Sequence, residues 1–279
     1  MFTPSILVDT TMEVVFEELG YASYAAAASP SLASYNPICR RSSANPCLLV
    51  IESGFSFSHS VPIMDHRIIK SGVRRVDVGG KLITNYLREL ISYRQWNMMD
   101  ETHLVSLIKE KVCFVSDDFL SDLRRTDLKL QYVLPDYVHH TEGYVRGSSD
   151  DPHLMDAAGN EAVKHSGEEQ VLTLKNERFS APEVLFRPTD IGLSQAGLAE
   201  ACLQGLNALD NDVVSAALLG NIAFCGGNAA IPGACERLSH ELQSLAPDQA
   251  TQAMLPISEY VASLPCDRVF FLSFFLLYY

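Results

Sequence analysis

The chain has 279 residues, 47% of them hydrophobic and 20% charged, with a net charge of −13. This composition excludes a disordered chain and is enough for one large or two modest cores. The acidic excess argues against a surface that grips nucleic acid and suits basic partners instead; the pairs Arg40-Arg41, Arg74-Arg75 and Arg124-Arg125 are isolated and read as solvated.

Met12, Val15, Phe16 and Leu19 predict a helix over residues 10–19, capped by Asp9 or Thr10 and stopped by Gly20. An alanine-rich stretch follows, broken by Pro30, and residues 35–45 read as a loop. Residues 46–62 predict a hairpin. Its first strand is Cys47-Leu-Leu-Val-Ile51, its turn Glu52-Ser53-Gly54 and its return strand alternates through His59 to Pro62. A strand over 73–78 runs into Gly79-Gly80, then a helix over 81–93 carries Leu82, Ile83, Tyr86, Leu87, Leu90 and Ile91 on one stripe. A second helix is predicted over 102–112, with Leu104, Leu107 and Ile108 on its face.

From 136 to 169 the chain turns polar, a length of loop that is usually functional or disordered. Its histidines, His139, His140, His153 and His165, lack metal-ligand spacing and read as solvent-facing. A strand over 171–174 and helices over 198–209 and 212–219 lead to the apolar run Ile222 to Phe224. Then come Cys225-Gly226-Gly227-Asn228 and a helix opened by Pro232-Gly233, with Leu238 and Leu242 inward. The seven cysteines have no metal-ligand pairing and read as reduced thiols, Cys225 as a small buried hydrophobe. The start has no export signal, and the apolar run 269–279 is shorter than the roughly 20 residues that span a bilayer.

Three apolar strands thus end in glycine turns, at Gly54, at Gly79-Gly80 and at Gly226-Gly227. Paired glycines admit close approach of backbone to a ligand, and a helix start offers N–H groups to an anion or ribose. Together the turns predict one ligand cleft between two α/β layers. Each alone also fits an ordinary strand-to-helix connection.

The order of segments resembles the actin family, and within it the nuclear actin-related proteins. The matching stretches are Thr11-Met-Glu-Val-Val-Phe16-Glu17, Glu52-Ser-Gly-Phe-Ser-Phe-Ser-His59, Gly79-Gly-Lys-Leu-Ile-Thr-Asn-Tyr-Leu87, Ile108-Lys-Glu-Lys-Val-Cys-Phe-Val115, Asn176-Glu-Arg-Phe179 with Pro182-Glu183, and Cys225-Gly-Gly-Asn228 with Pro232-Gly233. Ile91-Ser-Tyr-Arg-Gln95 followed by Met99-Asp-Glu-Thr102, and the extra polar sequence before residue 170, favour the nuclear branch over conventional actin.

The resemblance implies an α/β, ribonuclease-H-like actin fold, incomplete at both ends. Residues 1–35 would be a remnant of the first small subdomain. Residues 36–78 and 195–257 would form the inner α/β subdomain of the second lobe, and 79–194 the outer one, with a polar insertion at 137–169. The first phosphate loop and its lysine would lie upstream of Met1, and 258–279 would be an atypical hydrophobic tail foreign to the family.

In that family ATP and a divalent metal sit between two lobes. Carried over by position, Glu52, Ser53 and Gly54 belong to the second phosphate hairpin, and Gly80, Gly226 and Gly227 to points of close backbone approach. Lys109 and Glu110 match an adenine-packing lysine and a ribose-binding glutamate, or equally an ordinary surface pair on an amphipathic helix, while Asn228 and Ile231 would flank the base. Departures are specific. Glu52 stands where Asp is usual, Phe55 replaces a second acid, and the water-orienting glutamine falls near Ala28 or Ser29. His59 matches a position near the attacking water, or is a packing histidine. No metal ligands and no catalytic residues are therefore expected; ATP would be held structurally in a full-length protein, and this chain, without the first half of the phosphate cradle, would bind it poorly.

The implied role is a non-enzymatic scaffold in a nuclear complex that exchanges a variant core histone into nucleosomes. Remodeller subunits, histones or the nucleosome would be partners, with no direct nucleic-acid or membrane binding, and the nucleus, with the cytoplasm besides, the location. The alternative is an ATP-hydrolysing cytoskeletal actin-like protein.

Overall fold

The computed structural model describes residues 4–36, 46–125, 127–138, 140–148 and 169–246. In chain order, α1 (Ser5–Glu13) runs into a wider turn at Val14–Glu18, and α2 (Ser29–Ala33) precedes the strands β1 (Cys47–Ser53), β2 (Ser58–Met64), β3 (Arg67–Ile68) and β4 (Arg74–Val76). Helices α3 (Gly80–Arg94), α4 (Thr102–Val112) and α5 (Phe119–Arg124) lead to β5 (Leu130–Val133), β6 (Tyr144–Val145) and β7 (Val171–Leu174). Then follow α6 (Glu177–Glu183), α7 (Leu198–Asn207), α8 (Asp212–Leu219), β8 (Ile222–Cys225) and α9 (Ala234–Leu245).

The larger sheet has the order β3-β2-β1-β8, with β4 also on β2. β1 and β2 are antiparallel, whereas β8 joins β1 in parallel with Leu49 opposite Ile222 and Ile51 opposite Phe224. β1 is apolar at consecutive positions because both its faces are covered. Leu48 and Val50 pack with Val61, Ile63 and Val73 on one side, while Leu49 and Ile51 enter the main core with Val76 and Phe224 on the other.

The smaller sheet, β6-β5-β7, buries Tyr132, Leu172 and Leu174 completely. The main core runs without a break from this sheet through α3, α4, α7 and α9 to β1. On the outer side of β7, the Gln95 carboxamide donates to Thr173 O at 2.6 Å and accepts from Thr173 N at 2.8 Å.

One buried polar cluster ties α9 to α6 and to the strand-like segment after α4. Arg237, 5% exposed, donates through Nη2 to Glu183 Oε1 at 2.9 Å, through Nε to Glu241 Oε1 at 2.8 Å and through Nη1 to the Ser116 carbonyl. Glu183 is 2% exposed; burial pushes its carboxyl upward from the ordinary range while the Arg237 guanidinium pulls the other way. Such a cluster holds its members in one geometry, since any charge left without its partner there is costly.

Several expected elements shift. The first helix starts at Ser5 after Pro4 rather than at residue 10, and the Thr10 and Thr11 hydroxyls bond back to the carbonyls of Ile6 and Leu7 inside it. Of its predicted stripe, Val15 is buried, but Phe16 and Leu19 are 44% and 60% exposed. Pro30 does not break structure: it sits in the first turn of α2, where its missing N–H costs nothing. The strand of 73–78 is shorter, Arg74–Val76, and α7 ends at Asn207 rather than 209. Arg40, Arg41, the tail 258–279 and most of the polar insertion, His153 and His165 included, lie outside the described residues.

Candidate functional site

The three glycine turns meet. Gly80 N donates to Gly54 O at 3.0 Å and Lys81 N to Phe55 O at 2.7 Å, joining the start of α3 to the β1–β2 turn. The Asn228 amide, on the turn after β8, donates to Gly54 O and to Ser53 Oγ, each at 2.9 Å. Gly226 adopts φ 97°, and a Cβ there would lie 2.2 Å from Ser53 O. Gly80 faces the centre: a Cβ on it would lie 3.2 Å from Asn228 Oδ1 and 3.5 Å from Lys109 Nζ.

Ser53 has a different task from the one its position suggests. It is fully buried, and its hydroxyl lies 2.7 Å from Ser58 Oγ, which itself donates to Val78 O. With the Ser58 proton committed, Ser53 donates to Ser58 and accepts from Asn228. Ser53 and Asn228, 4% exposed, therefore latch the turns to each other, leaving backbone rather than these side chains toward a ligand. Ile231 lies at the margin of the core with 9% exposure.

Lys109 and Glu110 separate. Lys109 is 7% exposed, and among the described residues its hydrogen-bond acceptor is Thr84 Oγ1 at 3.2 Å. Burial lowers its pKa, opposed by Glu110. Glu110 is exposed and bonds to Ser106 one turn back on α4. The lysine alone of this pair reaches the glycine cradle.

At the mouth of the hairpin Glu52 is half-buried, and its Oε1 accepts from Ser29 Oγ at 2.7 Å. Phe55 is 61% exposed at the tip of the turn. Phe57 packs edge-on against His59 at 4.9 Å and carries the Arg75 guanidinium 4.3 Å above its ring. Cys225 is half-buried, its thiol donating to Ile51 O at 3.5 Å.

His59 is 5% exposed, and burial, with Arg75 acting in the same direction, lowers its pKa to about 4. Its unfolded value is higher, so the neutral ring's stabilisation is present above pH 6.5 and is lost as pH falls through 4, a swing of about 3 kcal/mol. His59→Gln should therefore lose less stability than the parent between pH 7 and pH 4.5 in urea melts; parallel losses would place the acid sensitivity elsewhere.

The mixed α/β fold and its convergent glycine turns are those of an actin-like domain, and an actin family model matches residues 2–261. The chain belongs to the actin family. Actin-related protein 6 of Arabidopsis thaliana is 40% identical over 258 residues, covering 86% of this chain and 61% of that protein. Actin-related protein 6 of Drosophila melanogaster is 36% identical, covering 88% of this chain and 62% of its own length. Actin-like protein arp6 of Aspergillus fumigatus is 38% identical, with 84% and 56% covered. The chain thus spans from 56% to 62% of the length of these relatives.

The family binds ATP in general. The nucleoside side of the site fits such a group: a buried ammonium with one hydroxyl acceptor adjoins a glycine cradle in which a Cβ at Gly80 or Gly226 would crowd its neighbours. On the hairpin side Glu52 is the sole acid between residues 52 and 59, and its Oε1 already accepts from Ser29 Oγ. No helix among the described residues is long and apolar enough to cross a membrane.

Proposed function

We propose that this protein is a non-catalytic actin-related subunit of a nuclear chromatin-remodelling complex that exchanges a variant core histone into nucleosomes. It serves there as scaffold and partner-binding surface. The observation that carries the non-catalytic part is the hairpin mouth. An exposed phenylalanine, Phe55, occupies the turn, and the short Ser29 hydroxyl is spent on Glu52. Neither can position and deprotonate a water, and each of those contributions is worth orders of magnitude in rate. The nuclear and histone-exchange part is supported by similarity to actin-related protein 6 of several organisms.

In a full-length protein ATP would act as a rigid wedge that sets lobe closure and stabilises the fold by mass action. Gly80, Lys109, Gly226, Gly227 and the margin at Ile231 would hold its nucleoside end. Partners are remodeller subunits together with histones or the nucleosome. The acidic surface favours basic partners, and the polar segment 137–169 is the candidate docking surface. Two of its described residues, Tyr137 and Val138, are 69% and 79% exposed.

Affinity capture of the tagged protein from nuclear extract tests the role. Remodeller subunits should co-purify, and less so when 137–169 is deleted. Single-turnover ATP hydrolysis by the purified protein should stay at the uncatalysed rate. Turnover matching conventional actin, or capture of cytoskeletal partners alone, would favour the cytoskeletal reading.

A further inference from the structure

We infer that the turn between α3 and α4 is a docking surface for an arginine- or lysine-bearing segment of a partner protein, whose cations seat on Tyr93 and Trp96 beside exposed carboxylates. The surface is separate from the polar segment 137–169; it extends the scaffold reading above and rests on it.

Tyr93 is 92% exposed, Trp96 45% and Met99 42%, three large apolar side chains within seven residues. A single apolar side chain on a surface is ordinary, whereas a compact group of them marks a place of contact. The turn that carries them is held from behind. Gln95 is clamped to the N–H and the carbonyl of Thr173. Met98 is buried in the main core, and its N–H donates to Ser92 Oγ at 2.9 Å. Asn97 Oδ1 accepts from Met99 N at 3.2 Å, and Glu101 N donates to Met98 O at 3.1 Å. Aromatic side chains on a backbone fixed in this way lose little freedom when a partner arrives, and such Tyr and Trp residues dominate binding energy at interfaces.

Charge selects the partner. Within residues 88–101 the Arg94 guanidinium is spent on Glu177 at 2.7 Å, which leaves Glu89, Asp100 and Glu101 against Arg88 alone. All three carboxylates are exposed, and Glu89 lies one helical turn before Tyr93 on the same face of α3. A guanidinium or ammonium is drawn to the face of a Trp or Tyr ring, and carboxylates alongside add to that attraction. The same carboxylates repel the phosphates of a nucleic acid. A second copy of this chain, meeting the turn across a two-fold axis, would set these carboxylates against their own counterparts. A basic segment fits both the rings and the charge.

Trp96 is the chain's sole tryptophan, so its emission reports occupancy of the turn directly. The purified protein is titrated with a peptide of about twelve residues alternating Arg and Gly, at about 0.15 M salt, where attraction between exposed charges is screened beyond about 8 Å. The emission should shift saturably with this peptide and stay unchanged with its alternating Glu and Gly counterpart. Tyr93→Ser combined with Met99→Ser should weaken binding about tenfold. Glu89→Gln, Asp100→Asn and Glu101→Gln together should weaken it about fivefold. These side chains are exposed, so the melting temperatures of both variants should match that of the wild type. Undiminished affinity in the first variant would assign the peptide to the acidic surface at large and overturn the inference. A concentration-dependent rise in mass by sedimentation, abolished by the same two substitutions, would put a second copy on the turn and overturn it too. A wild-type protein that ignores the peptide yet captures remodeller subunits sinks this surface and leaves the scaffold reading standing; peptide binding without any such capture does the reverse.

Discussion

Arg237→Met should destabilise the protein by about 3–5 kcal/mol, the cost of leaving a buried charge without its partner. In a domain of this size that lowers the melting temperature by roughly 10 °C. The substitution keeps most of the side-chain volume, so the loss reports on Glu183, 2% exposed and left facing Arg187 at 3.5 Å in place of the Arg237 fork. Arg237→Lys should recover little, because a point ammonium cannot reach Glu183, Glu241 and the Ser116 carbonyl together. The double variant Arg237→Met with Glu183→Gln should regain a large part of the loss, since it removes the stranded charge. The deficit of the single variant should also shrink as pH falls toward 5, where protonation of the already raised Glu183 carboxyl relieves the unpaired charge. Thermal melts of the three variants at two pH values check all of this. A deficit below about 1 kcal/mol would make the cluster no more than a surface ion pair in energy.

Gly226→Ala should cost about 3 kcal/mol, combining an unfavourable backbone conformation with a clash. The new Cβ would lie 2.2 Å from Ser53 O and 2.8 Å from Ser53 C, atoms of a buried strand that cannot turn aside. The disturbance falls where β8 joins β1 and where Asn228 latches the hairpin, so nucleotide affinity should fall along with stability. Gly227→Ala is the control: nothing stands within 4 Å of its Cβ position, and its effect should stay within about 0.5 kcal/mol. Equal losses in the two variants would mean that chain entropy, not close approach, sets the requirement for glycine at this turn.

The two turns differ in how visible they are beforehand. Gly226-Gly227 and Gly79-Gly80 follow apolar runs and precede helical stripes, so their place at strand and helix ends is written in local pattern, as are β1, α3 and α4. Their convergence is not local: it depends on β8 pairing with β1 across more than 170 positions, which periodicity does not encode. Family resemblance supplies that order. The direction of individual side chains is the least legible property. Ser53 and Glu52 are neighbours on one strand, so alternation sends one inward and the other toward Ser29, and only the packed structure says which. Lys109 and Glu110 part for the same reason on a helix. Arg237 and Glu183 escape sequence reading because each lies on a helix whose charges look solvated, and they meet 54 positions apart. β5, β6 and α5 are short and flank polar sequence, where pattern is weakest.

The Gln95 side chain on Thr173 has a consequence for how this protein meets other chains. Thr173 points its N–H and carbonyl away from β5, since Leu172 and Leu174 face that strand, and an outward pair of this kind is a template for an incoming extended segment. By filling both positions with one carboxamide, Gln95 ends the ladder from within the same polypeptide. Strand addition on this side would first have to displace a side chain anchored beside the Arg94–Glu177 ion pair, so self-templating into extended aggregates is blocked at this edge and partners are directed to other surfaces.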